Sequence, residues 1–314
     1  MDSQLLDYFL RVSELGSINK AAADLHLSQP TLSRHMALLE HALGAQLFAR
    51  TRHGVHLTDA GRLLADRARP LLRQFAILQE QVGERASGHL SIGVPTSWHT
   101  VFTLAFVKRL ATNSDGLRLR VYEGLSNVLR EYLLAGLLDL CIAPLAPTRT
   151  TGYRQTRLLR EPLALVEQAR AGLDPRRPVH VNRLAGVKLV LPARPNVLRQ
   201  QVELALAQEG LPFRVDVETD TLALCLDLVS QGIGSTVVPA CALIPHQEGG
   251  EISWAPVQGL SVTWALYENQ ARGHSQAVRE GRKLALAAVA EGLRAGRWIG
   301  AEAVLSSQVK RAGP

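Results

Sequence analysis

Between positions 28 and 35 the chain reads SQPTLSRH, gathering short hydroxyls, an amide and a guanidinium where a surface helix ordinarily carries Glu/Lys pairs. Gln29, Thr31, Ser33 and Arg34 are residue types that hydrogen-bond base edges and phosphates in a major groove. On this segment alone, the polar side of an ordinary helical bundle explains them as well. A few residues on, Arg50, Arg52 and His53 cluster in QLFARTRHGVHLT, and such a basic tip can grip phosphates or a minor groove. A second kind of chemistry lies further along, where short polar residues follow apolar runs: Thr96, Ser97 and Trp98, then Ser126 and Asn127, then Asn196, then Thr219, Asp220 and Thr221. Hydroxyls and backbone N–H groups at helix starts bind carboxylates, although each motif is equally an ordinary N-cap.

The elements holding the first cluster follow from spacing. Leu5, Leu6, Phe9, Leu10 and Val12 predict a helix over 3–14. Ser17 caps a second helix, 18–25, whose Ala21, Ala22 and Ala23 permit close helix approach. Leu25, His26 and Leu27 form the corner. Ser28 caps the third helix with Pro30 in its first turn, and Leu32, Met36, Leu39 and Leu43 form its buried stripe as far as Gly44. Residues 46–58 read as a hairpin turning at His53-Gly54. A helix-turn-helix followed by a basic-tipped hairpin is a winged helix, which favours the DNA reading over the bundle.

From Thr58 one long helix is expected, with Asp59 at its positive end. Its Leu64, Ala68, Leu71, Phe75, Leu78 and Val82 are spaced 4, 3, 4, 3, 4, a 3.5-residue repeat that calls for a partner helix, most simply from a second copy of the chain. Pro70 predicts a bend without a break. After a linker at Arg85-Ala86-Ser87-Gly88, strand-like runs at 89–94, 117–123, 138–143, 187–191, 213–218, 235–238 and 261–268 alternate with helical patterns, which predicts parallel sheets flanked by helices. In such folds ligands bind at the carboxyl ends of strands, where the four polar corners would meet. Arg194 could pair with a ligand carboxylate or stand exposed, and Trp98 could face a ligand or the core. Gly232-Ile233-Gly234 reads as a close turn, since no lysine follows it as in a phosphate loop.

Bulk properties restrict the function class. The 314 residues allow two or three folding units. Net charge is +7, but residues 1–85 contribute +1, residues 86–271 contribute +1 and residues 272–314 contribute +5. A DNA-binding argument therefore rests on local geometry, and a non-specific binder with an evenly basic surface is disfavoured. Cys141, Cys225 and Cys241 form no C-x-x-C pair; they are expected to be reduced, buried and inert, without a basic neighbour of the kind a reactive thiol needs. There is no G-x-S-x-G or H-E-x-x-H, no run of apolar residues long enough for a membrane span, and no secretion-type start, so a cytoplasmic non-enzyme without metal or cofactor is expected. A secreted solute-binding protein, the rival for residues 88–301, leaves the first 87 residues unexplained.

The run GSINKAAADLHLSQPTLSRHMALLE through LGAQLFARTRHGVHLTDAG resembles the N-terminal domain of LysR-type transcriptional regulators. It has the paired alanines, S-Q-P-x-x-S-R, the L-E near the helix end, L-F-x-R and L-T-x-A-G. The resemblance implies DNA contacts at Gln29, Pro30, Thr31, Ser33, Arg34, Arg50 and Arg52. It also implies a winged helix-turn-helix over 1–58, a dimerising linker helix over 59–87 and a two-lobed effector domain, similar to periplasmic binding proteins, over 88–301. In that fold lobe one spans 88–161 and 267–301, lobe two spans 162–266, and 302–314 form a poorly ordered basic tail. The partners implied are promoter DNA with approximate two-fold symmetry, a small anionic metabolite, a second copy of the chain with a dimer of dimers beyond it, and RNA polymerase.

Overall fold

The computed structural model describes residues 3–51, 54–82, 88–113, 117–146, 152–246, 250–270, 273 and 275–304. The chain forms two compact units, one from roughly the first 85 residues and the other from most of the remainder.

In the first unit, α1 (Ser3–Leu15), α2 (Ile18–Asp24) and α3 (Gln29–Leu43) start as the caps require. Ser17 accepts the N–H of Lys20 and Ser28 that of Thr31, each satisfying a donor that the helix start leaves unpaired. Ala21 and Ala22 are buried, so α2 lies close to its neighbours, and His26 makes the corner with φ of 55°. Leu32, Met36 and Leu39 join Phe9, Val12, Leu47 and Val55 in one core. Leu43, expected to complete the stripe, is exposed because the helix end extends past that core.

The wing pairs β1 (Phe48–Thr51) with β2 (Gly54–Leu57), antiparallel, Phe48 opposite Leu57. The carboxylate of Glu40 on α3 accepts the N–H groups of Leu47 and Phe48 at 2.7 and 3.2 Å, tying the wing to the helix before it. α4 (Asp59–Val82) follows without a break, its first turn capped by the hydroxyl of Thr58, which accepts the N–H of Gly61. A Cβ on Gly61 would stand 2.1 Å from the carbonyl oxygen of Leu47, so the wing and α4 can meet only at a glycine.

The second unit holds a seven-stranded mixed sheet, a two-stranded parallel sheet and helices. Its strands are β3 (His89–Pro95), β4 (Arg118–Gly124), β5 (Leu140–Pro144), β6 (Tyr153–Gln168), β7 (Leu189–Leu191), β8 (Val215–Glu218), β9 (Thr236–Pro239), β10 (Ile252–Asn269) and β11 (Glu302–Ala303). β3 runs parallel to β4 and β5, and β7 parallel to β8, as the alternation predicts. β6 and the first half of β10 were not expected as strands. They form a long antiparallel pair that carries the order β11-β6-β10-β5-β3-β4, with β9 against β6. The helices are α5 (Leu104–Asn113), α6 (Ser126–Leu134), α7 (Val197–Gln208), α8 (Leu222–Ser230) and α9 (Gln276–Arg294).

The chain passes between lobes along β6 and β10. The register breaks between Pro256 and Ser261, opposite Pro162, and Trp264 to Glu268 already pair with lobe-one strand β5. The second crossing thus falls several residues before the expected 266/267, because a strand hydrogen-bonded to β5 belongs to lobe one. Glu302 and Ala303, assigned to the tail, instead pair with Arg160 and Leu159 at the sheet edge. Residues 305–314, and 85–87 of the expected linker, lie outside the described residues.

Candidate DNA-reading surface and effector cleft

α3 divides its residues cleanly. Leu32, Met36 and Leu39 face the core, while Gln29, Pro30, Thr31 and Arg34 are exposed and Ser33 is half-buried. The side chains on the outer face are held in place: Gln29 donates to the Ser33 hydroxyl at 2.8 Å, and the Ser28 and Thr31 hydroxyls are 2.7 Å apart. His35 stacks on Tyr8, ring centroids 5.3 Å apart, which fixes α3 against α1. α1 is in turn tied to α2, where Arg11 binds both carboxylate oxygens of Asp24 at 2.6 and 2.7 Å. Arg50 lies on β1 opposite Val55, whereas Arg52 and His53 fall outside the described residues.

The six positions expected on the dimer seam divide into two groups. Ala68 is buried in the unit's own core, and Leu64, partly buried, packs against that core. The reason is that the first turns of α4 cover the helical domain, using the face assigned to a partner. Leu71 and Phe75 are 59% and 46% exposed, and Leu63 joins them as an exposed apolar residue. Leu78 and Val82 lie on the last turns of α4.

A cleft of about 680 Å³, part of it open to solvent, lies where the two lobes meet. Its lining brings together most of the predicted corners: Thr96 and Ser97 after β3, Ser126 and Asn127 opening α6, Asn196 before α7, and Thr219 and Asp220 before α8. Asn196 is used as a cap, accepting the N–H groups of Leu198 and Arg199, while Thr221 caps α8 without a side-chain bond. Thr221 does not line the cleft; Thr219 and Asp220 do, because the turn before α8 directs their positions inward.

Trp98 is a second correction. It is completely buried, packed edge-on against Trp264 and Trp298 at 5.4 and 5.2 Å, so it belongs to the core and cannot touch a ligand. The tryptophan that lines the cleft is Trp264 of β10. Its indole N–H donates to the buried carboxyl of Glu161 on β6, which also accepts the backbone N–H of Cys241 at 3.1 Å. Burial raises the Glu161 carboxyl from 4.5 to about 7. Neither residue stood out in the sequence: Glu161 lies on β6, which was not read as a strand, and Trp264 lies within the 261–268 run but was not singled out there. Arg194 pairs with Glu203 and is exposed.

The cysteines are buried, and desolvation raises Cys141 to about 12 and Cys225 to about 11 and pushes Cys241 well above its ordinary value. All three are therefore thiols at neutral pH, not the thiolates that react with oxidants. Among the described residues no helix is long and apolar enough to cross a membrane.

One unit presents a helix with a polar outer face, and the other holds a partly open cleft edged by polar corners. Residues 3–62 match the bacterial regulatory helix-turn-helix protein, lysR family, and residues 83–290 match the LysR substrate binding domain. The chain belongs to the LysR-type family of DNA-binding transcriptional regulators. It is similar to the HTH-type transcriptional regulator BbuR of Bordetella bronchiseptica, with 30% identity over 305 residues, 96% of this chain and 94% of that protein. It is 32% identical over 250 residues to the nitrogen assimilation regulatory protein nac of Escherichia coli, covering 77% and 79% of the two chains. Among solved structures, full-length CbnR complexed with its target DNA shares the fold, with a TM-score of 0.64 at 23% identity over 94% of this chain and 99% of that one.

Proposed function

We propose that this regulator works as a dimer, joined along the exposed stripe of α4 that includes Leu71 and Phe75, and reads an operator of approximate two-fold symmetry. Gln29, Pro30, Thr31, Ser33 and Arg34 enter the major groove, and Arg50, Arg52 and His53 of the wing contact the flanking backbone or minor groove. A small carboxylate-bearing metabolite in the cleft adjusts the lobes. Because it prefers one arrangement of the oligomer, it changes the spacing of the paired DNA-binding units and the bend they impose. The protein acts in the cytoplasm without catalysis, assembles further as a dimer of dimers and meets RNA polymerase at the promoter.

The observation that carries this reading is the one-sided α3, whose outer face holds hydrogen-bonding groups already oriented by one another while its inner face is core. Arg34 forms no ion pair among the described residues, which leaves its guanidinium available for a guanine or a phosphate. In a mobility-shift assay on DNA from its own upstream region, the purified protein is expected to bind, and Arg34→Ala to lose about 1–3 kcal/mol on that site with a much smaller loss on random DNA. Equal losses on both would make Arg34 a phosphate contact. No binding to the upstream DNA, with or without cell metabolites, would overturn the reading.

A further inference from the structure

The cleft is mostly apolar, with a few polar corners and an uneven charge. Among the described residues lining it there is one carboxylate, Asp220, and no lysine, arginine or histidine. The arginines nearby are engaged elsewhere. Arg194 binds Glu203, Arg199 binds Glu203 and Glu218, and Arg130 binds the carbonyl of Pro144 and lies over the Tyr267 ring. Asp220 accepts the N–H of Ala193 at 3.2 Å through one oxygen and has no ion pair among the described residues. One further oxygen, the buried Oδ1 of Asn127 on α6, lacks a hydrogen-bond partner. Asn127 lines the cleft.

An unpaired carboxylate and an orphaned amide oxygen call for a ligand that donates hydrogen bonds and carries positive charge. The opening turn of α6, with the hydroxyl of Ser126 and those of Thr96 and Ser97 beside it, calls for a negative one. A simple anion would satisfy the second group and be repelled by Asp220. The rest of the lining includes Val197, Leu198, Leu222, Val238 and Trp264, an apolar surface. We infer that the effector is a free amino acid with an apolar side chain, its carboxylate on lobe one at the start of α6 and its ammonium on lobe two at Asp220. This rests on the cleft being the effector site and specifies what that site takes. Because the two charges bind opposite lobes, the zwitterion draws them together, whereas a ligand with only one of the charges holds one lobe.

The full-length protein is tested by thermal shift against each of the twenty proteinogenic amino acids and against deaminated partners, 4-methylpentanoate for leucine and 3-phenylpropanoate for phenylalanine. At least one apolar amino acid is expected to raise the melting temperature, and its deaminated partner to have little effect. Asp220→Asn keeps a carbonyl oxygen for the N–H of Ala193, so its unliganded melting temperature should be unchanged. Calorimetry should show it binding that amino acid about tenfold to a hundredfold more weakly. Carboxylates that bind as tightly as the amino acids, or an unaltered affinity in Asp220→Asn, would overturn the zwitterion and leave the effector cleft standing. No shift from any amino acid or carboxylate would overturn both.

Discussion

Glu161 shows how a single side chain couples parts of the effector domain. Its carboxyl is buried on the strand that passes between lobes, receiving one bond from Trp264, which lines the cleft, and one from Cys241 in the segment after β9. Burial raises its pKa from 4.5 to about 7, so folding favours the protonated form. Its contribution to stability is complete below pH 4.5 and is lost as pH rises through about 7. Glu161→Gln removes the proton equilibrium while keeping an acceptor for the indole. Thermal melts should then show the wild type losing on the order of a few kcal/mol relative to the variant between pH 5 and pH 8. A difference that stays constant with pH would mean that the carboxyl titrates normally. The sequence offered no hint of this residue: Arg160, Glu161 and Pro162 interrupt the apolar run LLREPLALV, and no strand was read there. In contrast, Ser17, Ser28 and Asn196 were legible as caps or corners, since each is a short polar residue just before an apolar helical repeat.

Among the elements, the junction of wing and long helix is the most tightly specified. Thr58 donates its hydroxyl hydrogen to the carbonyl of Gln46 and caps α4, while Gly61 lets the carbonyl of Leu47 approach. These contacts account for T-x-A-G as a packing requirement. Gly61→Ala forces a Cβ into that carbonyl and should destabilise the DNA-binding unit by about 1–3 kcal/mol. In urea the variant's first transition should shift to lower concentration while the effector domain's transition holds. An unchanged profile would show that α4 can move aside without cost. The elements that sequence patterning missed, β6 and the start of β10, share a physical reason. They run between lobes with proline and glycine in them, as Pro162, Pro256 and Gly259 show, and such residues read as breaks when the partner strand is far away in sequence.

For the whole molecule, the heptad pattern proved to serve two masters. Spacing alone assigns Leu64, Ala68, Leu71 and Phe75 to one face, and it cannot tell which of them the chain's own core will claim. The helical domain takes the first two, and Leu71 and Phe75 remain outward. Phe75→Asp should therefore leave the DNA-binding unit folded yet shift sedimentation from dimer to monomer and weaken operator binding with it. A persistent dimer would place the interface elsewhere. The cleft, by comparison, was largely readable, because each of its corners follows an apolar strand, and its Asp220 and Trp264 both lie in segments that the sequence marks.

The antiparallel pairing of β6 with β10 has one more outcome. The polypeptide enters lobe two on one strand and returns on its immediate neighbour, so that lobe is an excursion between two adjacent points of the sheet. A foreign lobe spliced in at Pro162 and Ser261 would keep the remainder's connectivity intact, which makes this half of the recognition chamber an exchangeable cassette through which one transcription factor could be given the appetite of another.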